Sequence, residues 1–342
     1  MAVSTGTIPG APAAPSLGRA GVSSRRRAFD LWWWVLSAIG LVLLIVPVVW
    51  VLAGVVANAV PNWSWSIFTE TTTGIGGGLA NTIVGTFVLL VGVGILAGVV
   101  GIGAGVFLAE VAPPGRLTGL LRGASEVLSG IPSIVFGYVG YVALVVGLHW
   151  GFSLLAALVV LSLLVVPYVA KSTELALGQV PLAYREGGEA LGMSKTHVLR
   201  RVVLRSAIPG MATGLIFALA ISVGETAPLL YTAGFSNDYP SDHLVHAAVP
   251  YLTYATFTFW NQPSTAVKAL SYDSALLLVF LVLVLILASR LIVRLTQRYS
   301  PNRVGGGALP RRRATRRGLT AGALAPLDAS AAPAERDGTS AA

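Results

Sequence analysis

No cysteine occurs among the 342 residues, so disulfides, thiolate catalysis and cysteine metal sites are all excluded. Charge is nearly as scarce. Asp, Glu, Lys and Arg make up 11% of the chain, whereas a soluble globular domain carries about 25%. No G-x-x-x-x-G-K-[ST] stretch is present, and neither Lys171-Ser172 nor Lys195-Thr196 has the glycine framework that cradles nucleotide phosphates. The chain alone is therefore not expected to bind or hydrolyse ATP. A serine hydrolase lacks its G-x-S-x-G elbow, and no histidine falls inside an apolar run. The four histidines, His149, His197, His243 and His246, form no metal-ligand spacing beyond the pair 243/246, so no metal site is expected.

What is present is hydrophobic. Apolar residues reach 55% and the mean hydropathy is +0.77, which reads as an all-α, polytopic membrane protein. Six spans fit: Leu31–Ala57, Leu79–Leu108, Ala124–Leu148, Phe152–Ala170, Gly210–Ala233 and Asp273–Val293. The first exceeds the 7–15 apolar residues of a signal-peptide core, and Arg25-Arg26-Arg27 matches a twin-arginine signal poorly, so an uncleaved span is expected. Residues 1–30 and 299–342, rich in Ala, Pro, Gly and Arg, read as disordered cytoplasmic tails around a permease domain at 31–298. The net charge of +9 points to the positive-inside arrangement rather than nucleic acid. With both ends inside, 22 of the 23 Lys and Arg residues are cytoplasmic, Lys268 being the exception. Gly94/Gly98 and Gly101/Gly105 are small-xxx-small pairs, serving either packing within the chain or a subunit interface. The aromatic segment Gly234–Ser271 is placed outside, as an interfacial helix or a cover over the bundle mouth.

One long polar, basic interval interrupts the apolar chain, within a cytoplasmic loop at 171–208. Pro181–Gly210, PLAYREGGEALGMSKTHVLRRVVLRSAIPG, reads as helix, turn, helix. Pro181 suits a first helical turn, Gly192 a left-handed stop, and Ser194 an N-cap. Val198, Leu199, Val202 and Val203 then form one face, Arg201 and Arg205 another, and Pro209 marks the expected end of the second helix.

The order Glu186-Gly187-Gly188, Gly192, Val202, Leu204 resembles the cytoplasmic EAA loop of ABC importer permeases. It departs from that pattern in having two glycines for two alanines, and Arg205 for a proline. Phe107-Leu-Ala-Glu110 with Leu128-Ser-Gly-Ile-Pro-Ser-Ile-Val-Phe-Gly137 is similar to the segment opening the third span of phosphate-importer permeases. Gly224-Glu-Thr-Ala-Pro-Leu-Leu230 is similar to a motif of one of their two membrane subunits, the PstA type, and Asn81-Thr82 extends the likeness over residues 31–298. An arginine frequent just before that motif is replaced here by Ile221, Ser222 and Val223.

This resemblance implies a type I ABC importer permease-like fold of six transmembrane helices in a prokaryotic inner membrane. It implies a heterodimer with a PstC-type permease, two cytoplasmic ATPase subunits that bind ATP and Mg, and an extracytoplasmic phosphate-binding protein. Arg185, Glu186, Gly187, Gly188 and Gly192 would form the coupling helix against an ATPase. Glu225 falls about 22 Å along the fifth span at 1.5 Å per residue, where an unpaired carboxylate is costly. It is either a structural glutamate or part of the pathway, pairing with a cation of the companion subunit or accepting a hydrogen bond from a protonated phosphate hydroxyl. Ser222, Thr226 and Ser133 are further pathway candidates, with Glu126 and Ser129 behind them. A permease for sulfate or molybdate, and an ATP-independent carrier, are the alternatives.

Overall fold

The computed structural model describes residues 24–73 and 76–297. Of the expected disordered tails at 1–30 and 299–342, residues 1–23 and 299–342 lie outside the described residues; residues 24–30 are helical instead, continuous with the first apolar run. Among the described residues the chain is helical, with one isolated antiparallel bridge, Thr72 to Gly77, in the first loop, which also holds the short helix α2 (Ser66–Thr69). Five helices are long and apolar enough to cross a membrane, and a bent pair makes a sixth crossing if counted as one.

The centre is α6 (Leu154–Gly178), of whose apolar window 67% is buried, against 39% for α3 (Ala80–Val106). Ser153 starts α6 as an N-cap, its hydroxyl accepting from Ala156 N at 3.4 Å. Against α6 pack α3 and α9 (Leu204–Gly224), through Val93, Ala97, Val165, Val169 and Ala218. The glycines of α3 explain the close approach. A Cβ on Gly101 would lie 2.6 Å from Val169 Cβ, and one on Gly105 2.5 Å from the Ala170 carbonyl oxygen. Gly94 and Gly98 face Leu219 and Leu215 of α9. Both small-residue pairs therefore serve packing within the chain.

α1 (Ser24–Ala59) stands at the edge, mostly exposed, beside α12 (Thr265–Gln297). In the first turn of α3, Asn81 is fully buried and ties three segments together. Its Nδ2 donates to Thr72 Oγ1 at 3.0 Å and to the Asn237 carbonyl at 2.8 Å, while its Oδ1 accepts from Thr72 N at 3.2 Å. The aromatic segment expected outside contains a helix, α11 (Leu252–Trp260), whose Leu252, Ala255 and Phe259 are buried against α12. α12 begins eight residues before the expected Asp273.

Three expectations of continuity or termination are corrected. The third span is not one rod. A short loop at 112–115 leads into α4 (Arg116–Gly130), and α4 meets α5 (Ser133–Gly140, prolonged by π-helical turns over Tyr141–Gly147) at 97°. Pro132 supplies no N–H and holds Ile131 extended, at φ −72° and ψ 130°. The fifth span also breaks, between α9 and the short α10 (Ala227–Thr232), with Glu225 extended at ψ 126°. Pro209, by contrast, ends nothing and lies inside α9. Losing one N–H there frees the carbonyl of Arg205, at an exposed position, and a helix is still the cheapest way to satisfy the remaining backbone in lipid.

The glycine packing has a direct test. Gly101→Val should push α3 from α6 at about 1–3 kcal/mol and lower the Tm of the detergent-purified protein by several degrees. Gly103 has nothing within 4 Å among the described residues, so Gly103→Val should leave the Tm nearly unchanged. Equal losses at both positions would refute the assignment.

Candidate coupling loop and translocation pathway

The basic interval folds as α7 (Leu182–Ala190), a left-handed turn, α8 (Lys195–Val198), and a π-helical turn (Leu199–Val203) running straight into α9. Pro181 sits one position ahead of the helix, as its cap at ψ 138°. Gly192 adopts φ +76°, a region that costs other L-residues about 1–2 kcal/mol. Its N–H and that of Met193 satisfy the carbonyls of Glu189 (2.9 Å) and Gly188 (3.1 Å) at the end of α7. The Ser194 hydroxyl accepts from His197 N at 3.3 Å.

The two glycines that replace alanines differ in role. A Cβ on Gly188 would lie 2.7 Å from Val198 Cγ2, so the hairpin closes only without it, whereas Gly187 faces open space. Leu177, Val180, Val198, Val203, Ala207 and Met211 bury the hairpin's base against the C-terminal end of α6 and the N-terminal end of α9. What remains outward is Leu182, Glu186, Gly187, Glu189 and Leu191, Leu191 being 78% exposed. Beside them runs an open groove of about 770 Å³, lined by Ala183, Tyr184, Gly187, Gly188, Arg201, Val202, Arg205 and Ser206.

Arg185 differs from its neighbours. Its guanidinium donates to both oxygens of Glu110, Nη1 to Oε2 at 2.5 Å and Nη2 to Oε1 at 2.7 Å. The hydrogen bond to Glu110 raises the Arg185 pKa further above its ordinary value, against an opposing loss of hydration and with help from the carboxylate's charge. Sequence reasoning quoted Glu110 within a motif but gave it no role. Nothing in the spacing joins positions 75 residues apart.

On the pathway side, Glu225 occupies the break itself. Its N–H donates to the Ser222 carbonyl at 3.3 Å, and its own carbonyl accepts from Thr253 Oγ1 at 3.2 Å. Its carboxylate is half-buried and has no hydrogen bond or ion pair among the described residues. Thr226 follows at the start of α10 and lines a side-opening cavity of about 830 Å³ with Gly224, Thr253, Thr256, Phe257, Trp260, Asn261 and Leu278. Ser222 is buried away from it, in a small gap among Thr86, Tyr251 and Thr253, and donates to the Leu219 carbonyl at 2.9 Å. Ser133 is the first residue of α5. One turn on, Gly137 meets Pro228, and a Cβ there would lie 2.8 Å from Pro228 Cα. Thr253 and Thr256 of α11 were not foreseen. Their threonine spacing is ordinary for a packed helix, and only the fold carries them to the break.

A stability test separates the glycines. Gly187→Ala should stabilise α7 by about 0.8–1 kcal/mol, while Gly188→Ala should lower the Tm through its clash and recover when Val198→Ala makes room. Thermal unfolding of the three variants decides; a harmless Gly188→Ala would exclude the close packing.

Residues 101–304 match the family described as binding-protein-dependent transport system inner membrane component. Over 280 residues, 82% of this chain and 93% of the relative, the sequence is 51% identical to the phosphate transport system permease protein PstA 2 of Mycobacterium bovis. It is 34% identical over 247 residues to the phosphate transport system permease protein PstA of Yersinia pestis, covering 71% of this chain and 83% of that one. In architecture it is similar to a chain of the MetNI methionine ABC transporter in an inward-facing conformation, at 21% identity and a TM-score of 0.51, covering 63% of this chain and 95% of the other. The chain therefore belongs to the binding-protein-dependent transport system inner membrane components, in their PstA branch.

Proposed function

We propose that this chain is one membrane-spanning half of an ATP-driven phosphate importer. The observation that carries the reading is the coupling loop, a short helix anchored at its base with Glu186 and Leu191 turned outward, in a chain whose relatives are phosphate transport permeases. The companion half is a PstC-type permease. Two ATPase subunits on the cytoplasmic side bind ATP and Mg, and a phosphate-binding protein delivers cargo from outside. This chain contributes no ATP site, and both of its ends lie in the cytoplasm. Its helix α7 docks on an ATPase through Glu186, Gly187 and Gly192, so closure of the ATPases swings the hairpin and alternates the cavity.

The pathway runs past the break at Glu225, with Thr226 next to it and Ser133 at the start of α5, the half-helix that packs on α10. A carboxylate half-buried at that depth calls for a partner, and the partner is a cation of the companion permease. Glu225 then holds that cation in place for an anion that it would itself repel. Ser222, turned inward, shapes the end of α9 rather than touching cargo.

In the assembled importer, Glu186→Arg should lower phosphate uptake at least tenfold and weaken retention of the ATPase subunit on co-purification. Full uptake with normal retention would remove α7 from the docking role. Glu225→Gln should cut uptake while assembly holds, and Glu225→Ala should cut it further by stranding the partner cation. Normal uptake by both variants would take Glu225 out of the pathway; assembly lost only with Ala would make it structural.

A further inference from the structure

The inner end of α3 does not finish as an ordinary helix. Phe107–Val111 widens into a π-helical turn, with Ala112 N donating to the Phe107 carbonyl at 2.8 Å. Such turns leave carbonyls off their usual partners and occur often at functional sites. Two separate segments use this one. Arg122 of α4 donates through Nη2 to the Leu108 carbonyl at 3.1 Å, and its Nε pairs with Glu174 of α6 at 2.8 Å. Arg185 of α7 grips Glu110 with both Nη atoms and reaches the Leu177 carbonyl at 3.4 Å. Two helices, α4 and α7, thus hold the five residues that prolong α3, and Glu174 of α6 holds the first of the two arginines.

The grip on Glu110 is unlike an exposed surface pair, which holds little. The Glu110 side chain is 10% exposed and that of Arg185 28%. A two-pronged guanidinium–carboxylate pair fixes orientation as well as distance, which a lysine would not do. Removing either partner leaves the other partly buried without its counter-charge. Both oxygens of Glu110 and both Nη atoms of Arg185 are engaged within the chain, so Arg185 is poorly placed to reach across to another subunit. Its neighbour Glu186 is the one turned outward.

We propose that Arg185 and Glu110 are positioning residues forming the joint that carries motion of the coupling helix into α3, with the π-helical turn as its pivot. This rests on the assignment of α7 as the helix that docks on an ATPase. Rotation of α7 pulls Glu110, and the wide turn lets the end of α3 follow without breaking the helix above it. Arg122 and Glu174 hold the other side of the turn to α4 and α6, so the displacement is shared with the half-helix pair α4–α5.

The test uses the complete importer carrying Glu110→Arg, Arg185→Glu, or both. Each single change should lower the phosphate moved per ATP hydrolysed at least tenfold, with ATPase co-purification within twofold of the unaltered complex. The charge swap should bring that ratio back to within threefold. A mere loss of folded protein lowers transport and hydrolysis together and leaves the ratio alone. A swap no better than the singles overturns the joint. So does an Arg185→Glu complex that sheds its ATPase while Glu110→Arg keeps it, because Arg185 would then be a direct contact. A reading independent of cargo comes from Gly103→Cys, the sole cysteine, at an open position on α3. ATP should change its maleimide labelling rate severalfold, a change lost in the singles and regained in the swap. No ATP effect in the otherwise unaltered chain would also overturn the proposal. An ATP effect restored by the swap, without any phosphate uptake, would sink the phosphate assignment and leave the joint standing.

Discussion

A chain in hydrocarbon must satisfy its backbone donors and acceptors by itself, because no water is there to do it. The long helices α3, α6, α9 and α12 obey this by being unbroken over most of their length. The two interruptions, at Ile131–Pro132 and at Glu225–Thr226, are therefore the expensive places in the structure. They are also answered by neighbours. Thr253 donates to the Glu225 carbonyl, and Glu225 N finds the Ser222 carbonyl. The halves that follow the breaks, α5 and α10, lie against each other, since Gly137 has no side chain to hold Pro228 away. The second of these breaks borders the cavity that Thr226 and Thr253 line.

How much of this was legible depended on the kind of signal. Long apolar runs fix helices reliably, and Leu154–Gly178 and Ala80–Val106 stand close to where hydropathy puts them. Local backbone chemistry was equally readable. Gly192 is left-handed and Ser194 caps, because each acts on residues within one turn. Prolines were ambiguous. Pro132 and Pro209 look alike in sequence, yet one bends the chain by 97° and the other sits inside a helix. Pro132 follows a glycine and an isoleucine held extended, while Pro209 enters a run already committed to helix by the π-helical turn before it. That difference is set by neighbours in space.

The partners of charged groups were the least legible. Nothing near Glu110 or Arg185 in sequence names the other, and the spacing of Arg122 and Glu174 is no more informative. Glycines were half legible. Their crowding in α3 announced close packing but not against which helix, and the answer is split, α6 for Gly101 and Gly105 and α9 for Gly94 and Gly98. Composition counts side chains, whereas these choices depend on which helix the fold brings alongside.

The same packing sets where the molecule can move. α3, α6 and α9 meet along glycine and alanine contacts too close to slide, because a displaced helix would drive Val169 or Leu158 into its neighbour's backbone. Tightly packed interiors of this kind shift between discrete arrangements rather than deforming smoothly. The hairpin is anchored to α6 and α9 by a small apolar cluster, against which Ile102 and Val106 of α3 also pack, and to the turn that follows α3 by an ion pair as well. An apolar cluster tolerates small rotations, since its contacts have no preferred direction. A two-pronged ion pair does not, since its energy depends on angle. In the proposed joint, then, the apolar contacts with all three helices let the hairpin turn, and the ion pair alone keeps the direction of that turn at the end of α3.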